Sequence, residues 1–262
     1  MNRIGADEVR GDVASWKGLV VTGAWAALAS VVMIVIQVGI YVRWPPPENT
    51  AGFFEVLAAD PVHGLLALDL LYIVSNLLAY LVYFALAVAL WRVSRSGVVM
   101  ALAFGVLGMA AYMASPRPLE MLALAQSYAQ ASPSEQVALL AAGDGMLATW
   151  KGTAFDVYYF FNLVTLLVFA VLMYRSAVFS RATAVWGLSA AVLMAVPSNF
   201  GTVGLVFSLA SLPPWAVFAV LAGVRLLRLA APDKASEVHR PDRPGGAAVP
   251  DRPLTAQPRS GI

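Results

Sequence analysis

Residues 64–91 read GLLALDLLYIVSNLLAYLVYFALAVALW. A membrane-crossing helix needs about 20 mostly apolar residues to cover about 30 Å of hydrocarbon. This run exceeds that length and carries one carboxylate, Asp69, near its start. The rest of the chain has a similar composition. Its 262 residues are 60% hydrophobic and 12% charged, and mean hydropathy is +0.74. A water-soluble domain has about 25% charged residues and no more than about 50% apolar ones, so the expected solvent for most of this chain is lipid.

Six runs qualify as spans: Gly18–Val42, Gly64–Trp91, Gly97–Ala114, Ala154–Tyr174, Thr183–Val196 and Val203–Leu229. The first continues past its Ala27-Leu28-Ala29 triplet, so it is expected to remain as an anchor rather than be removed as a signal peptide. The fifth is short before Pro197. Pro213-Pro214 interrupts the sixth, a feature membrane helices tolerate when neighbours satisfy the freed backbone groups. The expected fold class is all-α, an integral membrane bundle of six transmembrane helices over 18–230. An N-terminal segment, 1–17, precedes it and a tail, 231–262, follows.

The basic residues orient the threading. Arg3, Arg10, Lys17, Arg92, Arg95, Arg175, Arg181, Arg225 and Arg228 fall on one side when six spans alternate. The other side receives Arg43, Arg117 and Lys151, together with Glu48, Glu55, Asp60, Glu120, Glu135 and Asp144. Positive charge marks the cytoplasmic face, which places both termini in the cytoplasm. The net charge of +2 and pI near 9.0 reflect this bias and not a nucleic-acid surface.

Between the spans, Pro45-Pro46-Pro47 stops the first helix and FFEVLAAD (53–60) suits a short amphipathic helix. The outer segment, 115–152, reads as a surface linker with two more short helices, or as a pair lying over the outer mouth of the bundle as a lid or flat in the interface. Pro116 and Pro118 bracket the start of one, and Ser132-Pro133-Ser134-Glu135 reads as a capping box for the other. Gly143 and Gly145 are expected to end that second helix. The tail has prolines, scattered charge and no hydrophobic period, so it is expected to lack a fold.

Spans two and four share a pattern. Asp69, Tyr72 and Asn76 in LDLLYIVSN (68–76) correspond to Asp156, Tyr159 and Asn162 in FDVYYFFN. Small residues recur every four positions in the next helices, at Gly97, Ala101, Gly105 and at Gly187, Ala191, Ala195, a spacing that lets helix backbones approach in lipid. A repeated hairpin, spans two–three and four–five, follows as an expectation.

Asp69, Tyr72, Asn76, Tyr80 and Tyr83 lie on one helical face, a polar stripe about 20 Å long. Tyr158, Asn162 and Thr165 make a second line, with Asp156 near its outer end. Facing one another, the stripes would form an outward-opening polar seam for a small ligand or ion, since ionisable groups inside membranes often mark such paths. The candidate ligand-binding residues are Asp69, Tyr72, Asn76, Asp156, Tyr159 and Asn162. Asn and Tyr also serve as plain interhelical hydrogen-bonding groups.

Other chemistry is poorly supported. The absence of cysteine removes disulfides, zinc–thiolate sites and iron–sulfur clusters. His63 and His239 are the only histidines. No His-Glu-x-x-His, phosphate loop or Gly-x-Ser-x-Gly motif occurs, so neither a metal, a cofactor nor a catalytic residue is expected.

LDLLYIVSN (68–76), GTAFDVYYFFNL (152–163) and LMYRSAVFSRATAVWGL (172–188) resemble an uncharacterised family of bacterial multi-pass membrane proteins, a domain of unknown function. The likeness covers about residues 18–230 and departs from the family pattern at SPRPLEMLALAQSYAQ. It implies a helical protein of a bacterial cytoplasmic membrane and implies no reaction. Three functions remain: binding or passage of a small ligand or ion, a membrane enzyme acting on a lipid or isoprenoid, and a structural or regulatory membrane partner.

Overall fold

The computed structural model describes residues 4–232. The rest of the expected tail, with His239, lies outside the described residues, as do residues 1–3. The chain forms α1 (Ala6–Ser15), α2 (Lys17–Arg43), α3 (Thr50–Ala59), α4 (Pro61–Ala67) and α5 (Leu70–Leu90). It continues through α6 (Arg95–Met113), α7 (Pro118–Tyr128), α8 (Pro133–Trp150), α9 (Thr153–Arg175), α10 (Arg181–Leu193) and α11 (Gly201–Ala230). Five stretches are long and apolar enough to cross a membrane: Lys17–Arg43, Leu70–Leu90, Arg95–Tyr128, Pro133–Arg175 and Gly201–Ala230. The protein is an all-α, multi-pass membrane protein.

Six helices close into a ring. α2 packs on α5, α5 on α6, α6 on α9, α9 on α10, α10 on α11, and α11 back on α2. Burial of apolar area cannot drive helices together in lipid, so the contacts depend on close backbone approach. A Cβ on Gly23 of α2 would overlap Ala85 and stand 2.6 Å from the Leu81 carbonyl oxygen of α5. A Cβ on Gly223 of α11 would lie 2.9 Å from the Ala24 carbonyl oxygen of α2. The small-residue stripe of α6 works similarly. Cβ atoms at Gly97 and Gly105 would each come within 3.3 Å of α9 side chains, and Thr165 Oγ1 donates to the Ala101 carbonyl at 3.0 Å.

Hydrogen bonds identify the two ends of the ring. At one, Ala177 N donates to Ile4 O at 2.9 Å, and Arg225 Nε donates to Val178 O at 2.6 Å. There too, Arg92 grips the Asp12 carboxylate of α1 at 2.6 and 3.0 Å. At the other end, Asn199 Nδ2 donates to the Lys151 carbonyl at 2.8 Å. α10 is only 13 residues, about 20 Å at 1.5 Å per residue, and Met194–Phe200 continues the path from one end to the other.

Three expectations change. Span two is broken: Asp69 has φ 64° and separates α4 from α5. The left-handed region disfavours most L-residues and is visited by Asp more readily than by branched ones. The second helix of the outer segment runs through Gly143 and Gly145 to Trp150. Gly143 provides close approach, because a Cβ there would overlap Thr50 and stand 3.1 Å from the Phe54 ring. Thirdly, the outer segment is more than a surface linker. α3, α4, α7 and α8 enclose an apolar core of their own around Phe53, Phe54, Leu57, Met121 and Trp150. The capping box forms as expected, with Glu135 accepting from Ser132 N at 2.8 Å.

Candidate functional site: a cavity inside the helix ring

A cavity of about 260 Å³ occupies the centre of the ring near the Asp69 end. α5 contributes Tyr72, Ser75, Asn76, Ala79 and Tyr83, which fall on one face at helical spacing. α9 contributes Phe155, Tyr158, Tyr159 and Asn162. The two polar lines meet. Tyr72 and Tyr158 hydroxyls are 3.2 Å apart, Tyr158 donates to Asn76 Oδ1, and Tyr83 donates to Asn162 Oδ1 at 3.2 Å. Asn76 Nδ2 donates back to its own helix at the Tyr72 carbonyl, 2.9 Å away.

Asp69 also borders the cavity, but its carboxylate is already engaged. Tyr41 donates to Oδ1 at 3.0 Å, while Tyr112 and the indole of Trp150 donate to Oδ2 at 3.2 and 2.9 Å. These partners come from α2, α6 and α8, so one buried acid ties three helices to the start of α5. Its side chain makes no cap to α5 itself. Three donors suit a carboxylate, which accepts and never donates when ionised.

The remaining candidates separate. Tyr159 reaches Ser198 and Ser208, both at 3.3 Å. Asp156 does not line the cavity; it accepts from Asn199 Nδ2 at 2.8 Å beside the end of α8. Thr165 is bonded to α6 and to its own Phe161 carbonyl. Tyr80 is also outside the cavity, with its ring edge-on to Phe84 at 4.8 Å. From Tyr72 it lies about 80° around a helix of 3.6 residues per turn, whereas Asn76, Ala79 and Tyr83 stay within about 40°.

Sequence reasoning missed the contributions of the first and last spans. Ile34, Gln37, Val38 and Tyr41 of α2 line the cavity, as do Leu205, Ser208, Leu209, Ser211, Leu212 and Trp215 of α11. Gln37 and Tyr41, four apart in an apolar helix, were the available signal, and so were Ser208 and Ser211. Beyond Tyr83 and Trp215, Leu86, Phe169, Phe218 and Leu226 fill the ring at zero exposure. The cavity is therefore a blind pocket, closed towards the Arg92 end.

Several polar atoms in the lining have no protein partner among the described residues, the Trp215 indole N–H and Gln37 Oε1 included. Neither Asn162 Nδ2 nor the Ser75 hydroxyl forms a hydrogen bond among the described residues, although Asn162 is only 6% exposed. Among the described residues no Lys, Arg, His or Glu lines the cavity. No family model, curated protein or solved structure matches the chain.

Proposed function

We propose that the protein is a six-span component of a bacterial cytoplasmic membrane, both termini cytoplasmic, and that it binds a small ligand in this cavity. The resemblance to uncharacterised multi-pass membrane proteins belongs to the same proposal, as does the duplication relating α5–α6 to α9–α10. Six crossings are supported by the ring and by the path of α10 with Met194–Phe200 between its ends. The orientation is supported by the basic residues that cluster around Arg92, Arg175, Arg181 and Arg225.

The observation that carries ligand binding is a largely apolar cavity of about 260 Å³ into which the Asn162 amide presents an N–H donor with no protein partner. The Asn162 Nδ2 donor faces the cavity space and has its oxygen already bonded to Tyr83, so it is held in place and open to an acceptor on a ligand. Binding is favoured over passage because Leu86, Phe169 and Phe218 fill the way onward. It is favoured over catalysis because the single carboxylate in the lining is already held by three donors.

The test is thermal unfolding of purified full-length protein against a panel of ions, polyols, amino acids and long-chain alcohols. A ligand at about 100 times its Kd stabilises by about 2.7 kcal/mol, so at least one compound is expected to raise the midpoint. The same compound should have no effect on Ala79→Phe, which fills the pocket. Equal shifts in both proteins, or none in either, would count against the cavity.

A further inference from the structure

Resting on the proposed cavity site, we infer that its ligand is a single-chain lipid with an uncharged hydroxyl head, entering sideways between α2 and α11. The mouth of the pocket supports this entry route. Val38, Leu205 and Leu209 line the cavity yet are 38%, 52% and 50% exposed, so they stand where the cavity meets the protein's outer surface. All three are apolar, and they sit within about 15 Å of the ends of their helices at 1.5 Å per residue. Val35, Val42, Val203 and Val206 around them are apolar and exposed as well, so the surface at the opening suits hydrocarbon rather than water.

The helices part at this point for visible reasons. Every buried residue of α2 lies between Val20 and Ser30, where Gly223 lets α11 press against Ala24 and Ala27. From Val31 onward α2 has no buried residue. On α11, Pro213 and Pro214 lack the N–H groups that would bond the Leu209 and Ala210 carbonyls. Missing bonds of this kind allow a helix to bend, and here they sit at the height of the mouth.

The interior selects the head group. With no Lys, Arg or His in the lining, a phosphate or carboxylate would be buried without a counter-charge, which is heavily penalised. A cation would find Asp69 with both oxygens occupied. A hydroxyl meets neither obstacle, since it needs no counter-charge and can accept from the open Asn162 Nδ2 donor. The volume points the same way. About 260 Å³ falls below the usual range of about 300–1,000 Å³ for drug-sized ligands. It houses a head and the first carbons while the remaining chain stays in the bilayer.

The experiment uses full-length protein in lipid nanodiscs, a diazirine-bearing hexadecanol and the phosphate monoester of the same chain. The alcohol is expected to crosslink to α2 and α11 around Val38 and Leu209, and unlabelled hexadecanol should compete. The ester should label at least about tenfold less, a difference of about 1.4 kcal/mol. Leu209→Trp, which narrows the mouth, and Ala79→Phe, which fills the pocket, should each suppress labelling. Equal labelling by the ester overturns the neutral head. Labelling that survives Leu209→Trp but not Ala79→Phe overturns sideways entry and leaves the cavity site standing. Labelling that survives both, or does not compete, overturns the inference and the cavity reading together. Stabilisation by a water-soluble polyol with no competed lipid labelling overturns this inference alone.

Discussion

The indole of Trp150 donates to Asp69 at 2.9 Å, so the last residue of α8 is bonded to the residue that starts α5. Through this bond the apolar core of the outer helices is fastened to the helix ring. Lys151 adds to the junction, its ammonium 5.6 Å from the Trp150 ring centre. One acid thus joins two parts of the molecule that have separate cores.

Removing that acid strands Tyr41, Tyr112 and Trp150 as donors. A buried donor left without a partner costs about 1–3 kcal/mol. Asp69→Ala is therefore expected to lower the thermal midpoint markedly, and Asp69→Asn, which keeps one acceptor and tolerates the left-handed backbone, by less. Asp69→Gly separates the causes, because it relaxes φ and still loses the carboxylate. A midpoint at or above the parent's for Asp69→Gly would mean that backbone conformation, and not the three bonds, governs this position.

Trp150→Phe should uncouple the outer helices selectively. The lost bond reaches a carboxylate, a class worth about 1.5–3 kcal/mol, while Phe retains most of the packing against Phe53, whose ring lies 6.2 Å from that of Trp150. Hydrogen exchange is expected to rise across 118–150 and to stay unchanged in α9 and α10. A uniform rise throughout the protein would contradict this division.

Glycine positions provide a graded test of the ring. Gly23→Ala forces a methyl onto Ala85 and the Leu81 carbonyl, and overpacking of this kind costs about 1–3 kcal/mol. Gly39 has nothing within 4 Å of its would-be Cβ, so Gly39→Ala should be neutral or slightly stabilising. Equal midpoints for the two variants would argue against the close contact of α2 and α5.

At the opposite end, hydrogen bonds from the Arg92 guanidinium hold the Asp12 carboxyl below the usual carboxylate range. A group whose folded pKa is depressed stabilises above its unfolded value, and this contribution is lost as pH falls through the folded one. Docking of α1 is thus expected to be intact at neutral pH and to loosen in acid below about pH 4. Proteolysis within residues 4–15 should accelerate there, whereas Asp12→Asn should already be loose at neutral pH with no further acid step. An identical acid response in that variant would remove Asp12 from the explanation.

The two polar lines were legible because Tyr and Asn at helical spacing stand out in apolar runs, and 72–76 and 158–162 do meet. The break at Asp69 was not. No Gly or Pro occurs at 65–71, and the residue is held by donors as distant in sequence as Tyr112 and Trp150. Gly143 misled for a related reason: packing against Thr50 and Phe54, not helix termination, accounts for it. The mouth between α2 and α11 depends on where two helices diverge, which hydropathy does not record.

The absence of cysteine makes the threading directly testable. Ser96, exposed near the start of α6, is expected on the cytoplasmic side, and Ser134, exposed in the first turn of α8, on the outer side. In spheroplasts a membrane-impermeant maleimide should label Ser134→Cys at once, and Ser96→Cys only after permeabilisation. The two sites are separated by α6 and α7, so an odd number of crossings must lie between them for this result. Labelling of both without permeabilisation, or the reverse order, would refute the proposed orientation while leaving the helix ring unaffected.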